Sequence, residues 1–461
     1  MTDTSPITEL TLKRLFTAAA LLMLLPLPVL QYLGEEGLMA IKSYEMFVRN
    51  DWLHPSILGG VWPHSPFWHW PVIAIASLIG WEHVDIAIRL VSVTSSWIAA
   101  LAAGFAAARL FPQHPQARWL AALIYLTLGE VAFWYGWLGY VDAMFGMFIF
   151  TAIVCLWRAI EDEHFGWFAA SLILISLAFL TKNITAYALY GVTGLILLWR
   201  LQHWRLLIKP HFLLAGCAAL SVPWLWQTFV VPTGANTATT SVNDALRNFI
   251  GFGFLAYIKH WLLYPVLFAA RALPVTLVLL WLWLRKRQQF RLDATLTTLL
   301  IIIAACMFPF WISAAATPRY LMPLYGLAAL LLTGLVLQLD AHYFRKTILV
   351  ITVFIVLKIP YSLGILPYIK QWQPGNNAFA VAKEIQAIVG DSTLRTRNDI
   401  STGLAVAAYL DVRMPPERYI RWLGDDEHKF YVLTEDESPD YGILKQQWVL
   451  RGDPLYLYWK P

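Results

Sequence analysis

Charge is scarce in this chain. Only 14% of its 461 residues are Asp, Glu, Lys or Arg, against about 25% in soluble proteins. With 59% hydrophobic residues and a mean hydropathy of +0.57, the composition excludes an ordinary soluble globule and points to an integral membrane protein. Cysteine is scarce too. Cys155, Cys217 and Cys306 all sit inside apolar runs, which excludes a disulfide frame or a CxxC metal knuckle. A basic stripe interleaved with polar residues is missing, so the net charge of +5 is no argument for nucleic-acid binding. No Gly-rich phosphate loop or dinucleotide fingerprint occurs, and no nucleotide cofactor is expected. His54, His64, His69 and His83 lack the spacing of a zinc site; a divalent cation is compatible with the chain, but nothing demands one. Solenoid repeats and low-complexity tracts are absent as well. The first apolar run, after Lys13 and Arg14, has no convincing cleavage site and outlasts a signal peptide, so it reads as a retained anchor.

What is abundant is apolar length. A spanning helix needs about 20 apolar residues. The expected spans are 15–33, 86–108, 119–137, 141–158, 166–181, 184–199, 211–231, 262–284, 294–315, 320–339 and 347–367. The Trp-rich stretch 66–81 reads as an interfacial or re-entrant piece, because Trp prefers the headgroup level. The basic clusters fall in every second loop: Lys13 and Arg14, Arg109 and Arg118, Arg158, Arg200 with Arg205 and Lys209, Arg285 to Arg291, Arg345 and Lys346. Cytoplasmic loops carry such an excess. The parity puts the N-terminus in the cytoplasm. It puts 34–85, 232–261 and everything after 367 outside.

Residues 371–461 change character. Alternating runs such as "KFYVLT" and "LYLYW" read as strands, and "NAFAVAKEIQAIVG" reads as a helix ending on Gly390. The expected organisation is an α-helical polytopic membrane domain over 1–370, with outer loops 34–85 and 232–261, and a small α/β soluble domain after it. The acids of that domain, such as Asp425, Asp426 and Glu427, read as solvated surface.

On this topology the ionisable groups not needed as cytoplasmic anchors gather on the outer side. Glu35 and Glu36 leave the first span; Asp142, Lys182 and Arg319 stand at helix ends, and Arg89 lies near the same end of its helix. Charges at membrane helix ends are costly to bury and so are functional candidates. Both signs suit transfer from an anionic lipid-linked donor. A carboxylate takes a proton from the attacking group, and Lys or Arg holds a leaving phosphate.

In order and approximate spacing over about residues 15–340, these motifs resemble the polyprenyl-phosphate-sugar-dependent membrane glycosyltransferases of the GT-C fold, glycosyltransferase family 39-like. That group includes the lipid A aminoarabinose transferase and the protein O-mannosyltransferases. The resemblance is carried by Glu35–Glu36 with "NDWLHP", by "IAIRLVS", by Asp142 opening a helix, by "FLTKNI" and by "PRYLMPLYG". It implies about 11–13 transmembrane helices. It also implies Glu35 as catalytic base, with Glu36 and Asp142 beside it, and a donor phosphate held by Lys182 and Arg319 with His64 and Arg89. His260 and Tyr264 resemble a position near the donor pocket. Two departures stand out. Leu38 replaces a common Arg, and "WPHSPFW" replaces a Glu-Lys-Pro-Pro element, with His64 where the Lys falls.

The expected function is transfer of a sugar from polyprenyl phosphate to a glycolipid, polysaccharide or protein. It would take place with inversion, on the periplasmic face of a bacterial inner membrane. The partners would be the donor, that acceptor and membrane lipids. The rival is a transporter or flippase of a lipid-linked or polar substrate. Such carriers show two related halves with broken helices at the midplane; here no such halves are visible and the charges sit at helix ends. An inactive scaffold is the third reading.

Overall fold

The computed structural model describes residues 7–61, 65–231, 253–397, 403–423 and 429–461. His64, most of the loop 232–261, and Asp425, Asp426 and Glu427 therefore lie outside the described residues. The chain divides into two compact units. One comprises residues 1–24, 92–137 and 141–359; the other comprises 25–91, 138–140 and 360–461.

Among the described residues, six helices are long and apolar enough to cross a membrane, or seven if the bent pair 254–271 and 275–286 is one span; four shorter apolar helices accompany them. In chain order the N-terminal helices are α1 (Glu9–Leu22), α2 (Glu36–Val48), α3 (His69–Ile79), α4 (Val84–Leu110), α5 (Ala117–Thr127) and α6 (Gly129–Phe133). They are followed by α7 (Val141–Glu161), α8 (Phe165–Thr181), α9 (Thr185–Leu201), α10 (Pro210–Phe229), α11 (Phe254–Arg271) and α12 (Val275–Lys286). The run closes with α13 (Ala294–Ile312), α14 (Tyr325–Val336) and α15 (Ala341–Pro360).

In the first unit α7 is the central element, buried along nearly its whole length. It packs against α8, α9 and the short 3-10 turn Pro318–Leu324. Gly146 makes that last contact close. A Cβ there would stand 3.0 Å from the Met322 carbonyl carbon, so only glycine lets the turn rest on α7. Other boundaries follow local rules. Asp293 caps α13 by accepting from the Leu296 N–H at 2.8 Å. The expected span 15–33 is helical only to Leu22 and then turns, because Pro26 and Pro28 cannot continue the ladder. In the second unit, α3 has 11 residues, about 16 Å of helix. That is short of the ~30 Å hydrocarbon core, as the reading of 66–81 as interfacial or re-entrant requires.

The C-terminal part of the second unit is the expected α/β domain. Helix α16 (Ala378–Val389) is capped by Asn377 and stops at Gly390, φ +54°. Helix α17 (Leu404–Asp411) follows. Besides the hairpin β1 (Ser56–Ile57) and β2 (Gly60–Val61), a five-stranded sheet has the order β4-β3-β5-β7-β6. Its strands are β3 (Leu394–Thr396), β4 (Arg421–Trp422), β5 (Phe430–Thr434), β6 (Ile443–Leu450) and β7 (Asp453–Lys460). The two predicted strands are β5 and β7. They pair antiparallel, while β3 runs parallel to β4 and β5. Phe430, Val432, Tyr441, Tyr456 and Tyr458 form the core under it.

Within the same unit, the segment after α1 is tied to residues far along the chain. Gln31 Nε2 donates to the Lys370 and Asn376 carbonyls at 2.7 and 2.5 Å, and its Oε1 accepts from the Ala378 N–H at 2.7 Å. The Tyr32 N–H donates to Tyr409 Oη at 3.1 Å, and Arg451 Nη2 donates to the Tyr32 carbonyl at 3.0 Å. Gly37 opens α2 against α17; a Cβ there would lie 2.8 Å from the Leu404 carbonyl oxygen.

Candidate active site

The second unit separates the roles of the two glutamates. Glu36 is fully buried and pairs with Arg89, also fully buried. Arg89 Nε donates to Glu36 Oε1 at 2.9 Å and Nη2 to Oε2 at 2.6 Å. Its remaining N–H groups reach the carbonyls of Leu27 at 3.0 Å, Leu30 at 2.6 Å and Gln31 at 2.7 Å. A guanidinium has five N–H donors, and all five are used. Glu36 also accepts from the Leu33 N–H at 2.8 Å and the Gly139 N–H at 2.7 Å. Four donors on two oxygens fill a carboxylate. Glu36 and Arg89 are thus a structural knot that shapes the chain from 27 to 36.

Glu35 sits at the N-cap of α2, half-buried. Its backbone N–H donates to Tyr140 Oη at 2.7 Å, and Tyr140 in turn donates to the Leu33 carbonyl at 3.4 Å. Gly34 is required here twice over. Its φ is +54°, and a Cβ would lie 2.3 Å from Tyr140 Oη. Along α2, Lys42 is buried. Burial pushes its ammonium down to about 7, opposed by the charge of Glu35. Residues 35, 38 and 42 share a helix face, and side chains tilt toward the helix N-terminus, so Lys42 is carried toward Glu35. Further along, Glu45 accepts from Ser56 Oγ and from the Gly59 N–H. Burial raises it to about 7. Asp411 of α17 is raised well above the carboxylate range by burial and by Glu45.

The first unit gathers the other charges. Asp142, in the first turn of α7, is buried, and its Oδ1 accepts from Lys182 Nζ at 2.6 Å. The Asp142 side chain is 3% exposed and that of Lys182 20%, so the acid lies behind the cation. The ammonium stands 4.8 Å from the Tyr320 ring centre and 5.4 Å from Phe145. Arg319 Cζ lies 5.7 Å from the same Tyr320 ring. Because Gly146 seats the 318–324 turn on α7, one turn beyond Asp142, these groups share one end of the helix. Tyr264 adjoins them. It is buried, donates to the Thr317 carbonyl at 3.4 Å and packs against the His260 ring in a tilted pair with centres 4.5 Å apart. His260 Nε2 lies 3.1 Å from the Phe310 carbonyl.

Of the nine expected site residues, the structure brings Glu35, Glu36 and Arg89 together in one unit. It brings Asp142, Lys182, Arg319, His260 and Tyr264 together in the other. His64 lies outside the described residues. Sequence reading missed the buried ionisable groups Lys42, Glu45, Glu130, Lys358 and Asp411, and the half-buried Arg271. Glu130 pairs with Arg271. Lys358 donates to the Ala132 carbonyl between the rings of Phe133 and Trp137. The signal for three of them was available, since Glu130, Arg271 and Lys358 stand inside expected spans, where an ionisable residue is rare. Among the described residues no group of three or more His, Cys, Asp or Glu is placed to hold a metal ion.

Comparison with known proteins gives this geometry a context. Residues 63–226 match the family model "dolichyl-phosphate-mannose-protein mannosyltransferase". No curated protein matches the chain. Two solved structures share the fold over nearly the full length of both chains. ArnT from Cupriavidus metallidurans in the apo state is 17% identical, with a TM-score of 0.69 over 96% of this chain and 97% of that one. The same protein bound to undecaprenyl phosphate is 16% identical, with a TM-score of 0.67 over the same shares. In sequence through residues 63–226, and in fold almost throughout, the chain is related to the GT-C-type membrane glycosyltransferases of the ArnT and dolichyl-phosphate-mannose-protein mannosyltransferase group.

Proposed function

We propose that the chain transfers a sugar from a polyprenyl-phosphate donor to a glycolipid, polysaccharide or protein, on the periplasmic face of a bacterial inner membrane. The observation that carries the reading is the division of labour in the acid pair. Glu36 is saturated by Arg89 and two backbone N–H groups, which leaves Glu35, fixed by its backbone to Tyr140, as the carboxylate for proton transfer. An acceptor hydroxyl or amine attacks the anomeric carbon from the side opposite the phosphate. The bond from that carbon to the phosphate oxygen breaks, the acceptor's proton passes to Glu35, and the configuration inverts. Lys182, steadied by Asp142, and Arg319 meet the negative charge that the departing phosphate gains. Arg89 takes the positioning role in place of a direct phosphate contact, because its donors are spent.

The test is transfer of label from a polyprenyl-phosphate sugar to envelope acceptors by the purified protein. Loss of a general base costs roughly 10²–10⁴-fold. Glu35→Gln lowers transfer by that factor with the thermal transition unchanged, and Lys182→Ala also lowers it. Transfer within a few-fold of the parent in Glu35→Gln rejects the base assignment. Translocation without a new glycosidic bond establishes the transporter instead. A reporter placed after residue 370 reads the membrane face, and cytoplasmic-type activity rejects the periplasmic assignment.

A further inference from the structure

Outside the groups just assigned, the first unit holds a second ion pair built like Asp142–Lys182. Glu130 opens α6, and its Oε2 accepts from Arg271 Nη1 at the end of α11. The Glu130 side chain is 0% exposed and that of Arg271 31%. Each pair thus places a fully desolvated acid behind a cation whose outer side is open. The backbone is fitted to the arrangement. The Gly129 N–H donates to the Leu273 carbonyl at 2.9 Å, and a Cβ on Gly129 would lie 3.2 Å from the Arg271 carbonyl oxygen. Arg271 closes the helix that carries His260 and Tyr264, and Tyr264 reaches the carbonyl of Thr317, two residues before Arg319. The same helix packs against the 318–324 turn that carries Arg319, and Phe268, one turn before Arg271, stacks on Tyr325 with ring centres 5.3 Å apart.

An arginine held only by the tip of one nitrogen keeps most of its planar fork for a ligand. Among the described residues Glu130 is the one hydrogen-bond acceptor found for Arg271. Glu130 Oε1, buried, has no partner there. Glu36, by contrast, closes both its oxygens on the Arg89 guanidinium.

We propose that Arg271 is a donor-binding residue that grips the lipid phosphate alongside Lys182 and Arg319, with Glu130 as its positioning residue. The inference rests on the function proposed above and adds a phosphate ligand to it. Arginine presents two parallel N–H groups to two phosphate oxygens, where lysine acts as a point charge. Arg271 therefore sets the orientation of the phosphate, and Lys182 supplies charge.

The experiment measures binding of undecaprenyl phosphate, and separately of undecaprenol, to the detergent-solubilised protein by native mass spectrometry. Arg271→Met weakens undecaprenyl phosphate about 10- to 100-fold, as loss of a charge-assisted bidentate contact implies, and leaves undecaprenol unchanged. Arg271→Lys recovers part of the loss. Glu130→Gln weakens the phosphate ligand by a smaller factor, and Arg285→Met, a cation at the far end of α12, has no effect. If Arg271→Met does not fold, the double variant Glu130→Gln with Arg271→Gln keeps a neutral pair of similar shape and shows the same loss. Parent-like affinity for undecaprenyl phosphate in either the Met or the double variant overturns the assignment. So does an equal loss for undecaprenol, which marks a structural role. Weak binding in Lys182→Ala with parent affinity in Arg271→Met sinks only this inference. A parent protein that ignores undecaprenyl phosphate sinks the proposed function as well.

Discussion

Arg89→Met is the sharpest structural perturbation, because the parent side chain is fully buried and every donor is used. Breaking a buried ion pair by removing one partner costs about 3–5 kcal/mol, since the other charge stays behind. The three carbonyls lose charge-assisted bonds worth about 1.5–3 kcal/mol each before relaxation. If relaxation recovers most of the second contribution, a net loss of about 4–6 kcal/mol remains. That is a large part of the 5–15 kcal/mol typical of a folded protein, and it corresponds to a fall on the order of 10 °C in the thermal transition. The chain's 23 tryptophans make intrinsic fluorescence in detergent a direct readout. The double variant Arg89→Met with Glu36→Met removes the stranded charge and regains about half of the loss. It does not regain all of it, because the Leu33 and Gly139 N–H groups lose their acceptor. A fall under 2 °C in the single variant, or a double variant no better than the sum of the singles, refutes the account of this knot.

Two further outcomes follow from the same geometry. Gly146→Val pushes the 318–324 turn off α7, displacing Arg319 and Tyr320; transfer activity falls at least 10-fold while the protein still purifies folded, and parent-like activity contradicts the seating role. The pH dependence of stability has a definite sign: Glu45 is raised from 4.5 to about 7, so between those values the folded chain holds a proton that the unfolded chain has lost. Stability therefore falls as pH rises through that window, by up to ~1.4 kcal/mol per unit, and Asp411 acts in the same direction. The thermal transition drops between pH 5 and 7, and Glu45→Gln flattens the slope; an unchanged slope in that variant removes Glu45 as the cause.

How much of this was legible in the sequence depends on where each residue sits. Glu35, Asp142, Lys182 and Arg319 stand at the ends of apolar runs, where a charge is conspicuous and topology alone decides its side. The strands β5 and β7 and the helix ending at Gly390 followed from alternation and capping. Glu130 and Arg271 were not read. Each lies within a run long enough to be taken whole as a span, and their pairing joins positions 141 residues apart, which no local spacing encodes. The same holds for Arg89, whose position was noted but whose saturation by backbone carbonyls depends on the turn from Leu27 to Gln31. Lys42 lay in a stretch read as an outer loop, where a buried lysine has no sequence signature.

The ties from Gln31 and Tyr32 to residues 370–451 bear on how the protein is made. The turn that presents Glu35 emerges from the ribosome early, yet the bonds that hold its leading edge come from Tyr409 and Arg451, 377 and 419 positions away. Until those residues have been synthesised and folded, the nascent chain carries its acid pair in a segment that lacks these ties. A chain cut short of residue 409 would keep its apolar helices and carry Glu35 without either of these ties.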